Sequence, residues 1–147
     1  MTEIITNRTD KTEQTFTMNL LHQELTGLIL KTFFNVVKHL GYGLDKSVYI
    51  NALAAELEQN QNNITTNKTQ AIIHCNNVVG QICFDLIVND AVVIMVDNNY
   101  NFIDRQQEEQ AKKFLRHSKY EVLLLLNFGL EASYKRLFLG NDFKQQQ

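Results

Sequence analysis

The chain has 147 residues, 44% of them hydrophobic, with a net charge of -2 and an isoelectric point near 6.1. That length buries one core and predicts a single domain, while the near-balanced charge excludes a global pull toward nucleic acid and leaves only a local basic patch to meet phosphates. The N-terminal residues lack a signal-peptide core and no run is long enough to span a bilayer, so no membrane partner is expected and the location reads as cytoplasmic, or nuclear in a eukaryotic or viral setting.

Residues 1–18 are polar with almost no apolar spacing and are expected to form a flexible arm, with the domain at 19–140 and a flexible tail at 141–147. From Asn19, the apolar residues Leu21, Leu25, Leu28, Ile29, Phe33, Val36, Val37 and Leu40 recur at three- and four-residue steps, which predicts a helix of about five turns. His22 and His39, near its two ends, read as capping or surface histidines. Gly41 and Gly43 mark a tight corner, after which Asp45 or Ser47 is placed to cap a second helix. Tyr49, Ala52, Leu53, Ala54 and Leu57 form that helix's inward face, and it ends near Glu58.

The Asn- and Gln-rich stretch 59–63 is a loop. Three β-branched runs follow, ITTNKTQAIIHC, GQICFDLIV and AVVIMVD, separated by turns at Asn76-Asn77 and Asn89-Asp90, which predicts an antiparallel meander. Cys75 and Cys83 lie in alternating runs and read as small buried or half-buried side chains. His74 points to the opposite face of the strand from Cys75, so the pair suggests no zinc site. Ala91–Val96 is apolar throughout and suits a strand covered on both faces. Asp104–His117 is an amphipathic helix, and Val122–Leu126 is a strand beside the third one, reached by a parallel, right-handed crossover. Tyr134–Leu139 alternates and reads as an edge strand. The order is α-α-β-β-β-α-β-β, an α/β fold with a mixed sheet of about five strands flanked by helices.

Leu20–Leu57 resembles the opening of the bacterial GxxExxY proteins, which belong to the PD-(D/E)XK nuclease superfamily, and the resemblance continues to about Leu139. It implies a restriction-endonuclease-like core. Gly43, Ser47, Val48 and Tyr49 keep the family signature, and Lys46 stands at its acidic position. In the superfamily, an acid on the first helix, an aspartate on the second strand and Glu-x-Lys on the third hold Mg²⁺ and orient the attacking water. By the resemblance, Asp85 matches the strand aspartate, Met95 and Asp97 stand where Glu and Lys are expected, and Gln110 matches a glutamine of the next helix. A thioether is a poor substitute for a carboxylate toward Mg²⁺.

Lys46, Asp85, Met95, Asp97 and Gln110 are therefore expected to be the remains of a catalytic pocket with no catalytic residue set intact and no metal. Met95 and Asp97 share a strand face, so Asp97 is expected to look toward Asp85 and the first helix, with Lys46 pairing with Asp97 or Asp85. The expected role is a binding or assembly module without a cofactor. Two alternatives stand beside it: an Mg²⁺-dependent nuclease in which Asp85 and Asp97 hold the metal and Lys46 replaces the lost lysine, and a homo-oligomeric structural protein. Arg105, Lys112, Lys113 and Arg116 on one helix, with Lys135 and Arg136 on the last strand, are candidate phosphate contacts for DNA or RNA. The competing reading of these groups is a solvated face balanced by Glu108 and Glu109. The edge strand near Tyr134 is a candidate surface for a protein partner or a second copy.

Overall fold

The computed structural model describes residues 7–144, with side chains from residue 22 onward. Its elements run α1 (Asn7–Leu40), α2 (Lys46–Gln59), β1 (Ile64–His74), β2 (Asn77–Val88), β3 (Val92–Asp97), α3 (Arg105–Arg116), β4 (Val122–Asn127) and β5 (Ser133–Phe138), then a 3-10 turn at Asn141–Phe143. The strands form one sheet in the order β1-β2-β3-β4-β5. Only β3 and β4 are parallel, joined through α3, and every other neighbouring pair is antiparallel. This mixed sheet with helices on both faces is the restriction-endonuclease-like architecture expected from the sequence.

Two cores, one on each face of the sheet, hold the layers together. On one face, Ile29, Phe33 and Val36 of α1 and Tyr49, Leu53 and Leu57 of α2 pack onto Leu86, Val88, Val92, Ile94, Val96, Val122, Leu124 and Leu126. On the other, Ala111 and Leu115 of α3 pack onto Ile82, Phe84, Ile87, Val93, Leu123, Leu125 and Leu137. Full burial of each large side chain contributes about 2 kcal/mol. The apolar character of β3 and β4 on both faces follows from this sandwich.

Several expectations are corrected. Helix α1 begins at Asn7, ahead of the expected start near Asn19. Once a packed helix is nucleated, extending it adds one hydrogen bond per residue ordered, and Thr-Asp-Lys-Thr-Glu-Gln contains no breaker. Residues 1–6 of the expected arm, and residues 145–147 of the tail, lie outside the described residues. Lys144, expected to fray, donates from Nζ to the carbonyl oxygens of Ser118 at 2.7 Å and Tyr120 at 2.6 Å. Cys75 and Cys83 are both exposed. The β1–β2 hairpin runs past the helices, so its outer half, with Ile73, Val78 and Val79 more than half exposed, has no layer on either face. Its turn falls at Cys75-Asn76, one residue earlier than expected, with φ of 52° and 62°. Two consecutive positive φ values are those of a type I′ hairpin turn, which asparagine tolerates better than most residues.

Candidate functional site

The corner between α1 and α2 is built by its glycines and one tyrosine. Gly41 and Gly43 have φ of +71° and +110°, conformations that side chains resist. The Tyr49 hydroxyl donates to the Gly41 carbonyl at 2.6 Å and accepts from the Leu44 N–H at 3.1 Å. Its ring stacks on Phe128, 4.2 Å between centroids and 7° between planes. Gly43 and Tyr49, the outer positions of the expected signature, thus set the shape of the corner. Asp45 occupies the N-cap of α2, yet its side chain makes no capping bond, and the Val48 N–H turns back to the Asp45 carbonyl oxygen at 3.0 Å. Neither Asp45 nor Ser47 caps α2 through its side chain, contrary to expectation.

Lys46, in the first turn of α2, directs its ammonium to Asp85 Oδ2 at 3.5 Å; the Lys46 side chain is 47% exposed and that of Asp85 12%. Asp85 lies where β2 leaves regular alternation. Phe84 packs on the α3 face and Leu86 on the α1–α2 face, although residues two apart on a regular strand share a face. Asn67 of β1, between the Thr66↔Leu86 and Lys68↔Phe84 pairs, has φ of 52°. The β2–β3 ladder ends at Leu86↔Ile94. Beyond it, the Val96 N–H donates to Asp85 Oδ2 at 2.8 Å. A side-chain carboxylate thus takes the place of a ladder carbonyl where the two strands separate.

The rest of the expected pocket faces the other way. Met95 packs into the cluster on the α3 side with Ile103 and Phe114. Asp97 Oδ2 accepts from Gln107 Nε2 at 2.5 Å, while Gln107 Oε1 accepts from the Asp104 N–H at 2.9 Å and Asp104 Oδ1 accepts from the Gln107 N–H at 2.8 Å. The capping box that starts α3 therefore also anchors Asp97. Of the two pairs open to Lys46, the structure contains the one with Asp85. Asp97 is held by α3 and does not face Asp85 and the first helices as expected. Gln110 is exposed on α3, and Gln107 is the glutamine that reaches the end of β3. The Asp104-x-x-Gln107 spacing was the signal for it.

A magnesium ion of the kind the superfamily uses needs several converging oxygen ligands. Asp85 Oδ2 is taken by an ammonium and an amide, position 95 offers only a thioether, and Asp97 is bound to a different helix. These residues do not fit the ion, and among the described residues no three His, Cys, Asp or Glu side chains group to hold a metal.

Beside this region the loop after β3 is held closely. Asn127, fully buried, donates to the carbonyl oxygens of Asn99 and Asn101 and accepts from the Asn99 N–H at 2.9 Å. A Cβ at Gly129 would lie 2.3 Å from the Asn99 oxygen, so only glycine permits this approach. At the opposite end of the strands, burial and a hydrogen bond to Asp90 push the Tyr120 phenol up to about 12. That bond, followed by one from Lys119, holds the Asp90 carboxyl below its usual range. Burial lowers His22 and Lys144.

The candidate phosphate contacts do not form one free patch. Lys112 pairs with Glu108 at 3.7 Å and Glu109 at 3.6 Å, and Lys135 pairs with Glu108 at 3.8 Å. Lys112, Lys113 and Arg116 border a groove against β5, whereas Arg105 starts the helix and Arg136, opposite Leu124, belongs to the α1–α2 side of the sheet. No described helix is long and apolar enough to cross a membrane.

No protein of described function and no solved structure matches the chain. A family model does, over residues 23–137, a span that includes both glycines of the corner, Lys46, Asp85, all of β3 and the capping box of α3. With five strands in this order and an aspartate at the divergence of the second and third, the chain belongs to the PD-(D/E)XK nuclease superfamily.

Proposed function

We propose that this protein is a catalytically inert, GxxExxY-type member of the superfamily that acts as a binding or assembly module. The observation that supports it is the Lys46–Asp85 contact of 3.5 Å. A cation on the helix neutralises the one carboxylate left at the family's metal position, and its ammonium lies where a metal would compete for the same oxygen. At Asp85 Oδ2, Mg²⁺ would have to compete with Lys46 and the Val96 amide, and it would gain no second carboxylate from Met95. The nuclease alternative built on Asp85, Asp97 and Lys46 requires Asp97 to leave Gln107 and turn to the other face of the sheet. No cofactor is needed for the role proposed.

Purified protein incubated with plasmid and with single-stranded DNA in Mg²⁺ or Mn²⁺ should cut neither above the level of an Asp85→Ala control. Metal-dependent cleavage that disappears in the control overturns this reading. Sedimentation at increasing concentration addresses the homo-oligomer alternative: a mass well above 17.0 kDa that depends on concentration marks assembly.

A further inference from the structure

The groove between α3 and β5 lies on the α3 side of the sheet, away from the Lys46–Asp85 pair. It encloses about 450 Å³, with Leu115, Leu137 and Leu139 along its floor, the strand at Phe138 between the last two, and Lys112, Lys113 and Arg116 at its rim. Its cations are not equivalent. Lys112 is already paired with two glutamates of its own helix. Lys113 and Arg116 are exposed and form no ion pair among the described residues. An apolar trough with uncompensated positive charge on one bank calls for an occupant that is itself apolar on one side and acidic on the other.

The neighbouring strand decides what kind of occupant. β5 is the last strand of the sheet. The Leu139 N–H points inward, donating to the Glu121 carbonyl at 2.8 Å. Main-chain groups alternate along an antiparallel strand, so those of Tyr134 and Phe138 turn toward the outer side. Among the described residues no other strand pairs with this outer side, and an open strand edge is satisfied by another peptide backbone. A fatty acid would fill the trough but could not pair with that edge, and a nucleic-acid backbone would meet the cations but has nothing to place on the leucines.

We propose that this groove docks an extended acidic and apolar segment of a partner protein, which adds to β5 as a sixth strand. The six residues of β5 offer about 20 Å of edge at about 3.3 Å per residue. Alternate side chains of the incoming strand enter the trough over Leu137 and Leu139, and carboxylates at its rim meet Lys113 and Arg116. This deepens the binding-module reading by giving the partner's chemistry.

The test uses the full chain and a fluorescein-labelled heptapeptide of alternating Glu and Val, followed by fluorescence anisotropy, with an alternating Lys and Val peptide as control. Saturable binding of the acidic peptide is expected, together with at least a tenfold rise in Kd in the Lys113→Glu/Arg116→Glu double variant. Both substitutions lie on an exposed helix face, and circular dichroism of the variant is to match that of the wild type. Leu139→Ala, at a half-buried position on the groove floor, should also weaken binding. Absence of saturable binding overturns the proposal, as do equal affinity in the double variant and equal binding of the basic peptide. Complete displacement of the peptide by dodecanoate or by a DNA duplex at lower concentration reassigns the groove to lipid or nucleic acid and equally overturns it. None of these outcomes bears on cleavage, and cleavage by the wild-type chain would leave the peptide result standing, so the two readings fail separately.

Discussion

Replacing Tyr49 by Phe removes a single oxygen from the corner between α1 and α2, and the geometry predicts its cost. The hydroxyl makes two hydrogen bonds, to the Gly41 carbonyl and the Leu44 amide. Each contributes about 1 kcal/mol net, and both partners lie in an exposed turn where water recovers part of the loss. The Phe128 stack remains, so the expected loss is about 1–2 kcal/mol. Tyr49→Ala also empties a fully buried ring site and should cost about 3–5 kcal/mol. With a urea m-value of about 2 kcal/mol/M, the Phe variant should unfold at a midpoint lower by about 0.5–1 M. Urea titration followed by circular dichroism reads this directly. A midpoint equal to wild type would show that the hydroxyl contributes nothing to the corner. One as low as that of the Ala variant would show that the ring contributes nothing.

Asp85→Ala should destabilise by about 2 kcal/mol because it orphans the Val96 N–H. Lys46→Met, at a half-exposed ammonium, should cost less than about 1 kcal/mol; equal losses in thermal unfolding would contradict the ladder role of Asp85. Tyr120 gives a pH signature. Its folded pKa of about 12 lies above the ordinary phenol value of 10.0, so the stability it lends is complete below pH 10 and is lost as pH rises from 10 toward 12. Urea midpoints measured across that range should fall less steeply in Tyr120→Phe, and parallel curves would refute the assignment.

The order of elements was legible because hydrophobic period survives without any knowledge of partners. The α3 boundaries at Asp104 and His117 emerged as its two caps, and the edge position of β5 followed from its alternation. The disposition of the site was not legible. Alternation correctly puts Met95 and Asp97 on one face, but which face that is depends on where β2 breaks its own alternation, and no residue type at Asp85 or Asn67 announces the break. The exposure of Cys83 depends on how far a hairpin outruns its covering helices, a tertiary distance with no local signal. The extension of α1 to Asn7 has no apolar stripe to reveal it, since that end of the helix follows from continuation.

The sheet also carries an order of assembly. β1 and β2 meet across the two residues Cys75 and Asn76, whereas β3 and β4 pair in parallel across a connection that contains all of α3. Chain entropy favours closing the short loop first, and hairpins form within about 1–10 μs, well ahead of parallel strands joined at long range. Pulse-labelling hydrogen exchange should therefore protect the amides of β1 and β2 before those of β4, and simultaneous protection would contradict this order. The Val96-to-Asp85 bond fastens β3 to β2 across a loop of only three residues, Asn89 to Ala91, so the aspartate inherited with a nuclease fold belongs to the half of the sheet that closes early, ahead of the parallel seam between β3 and β4.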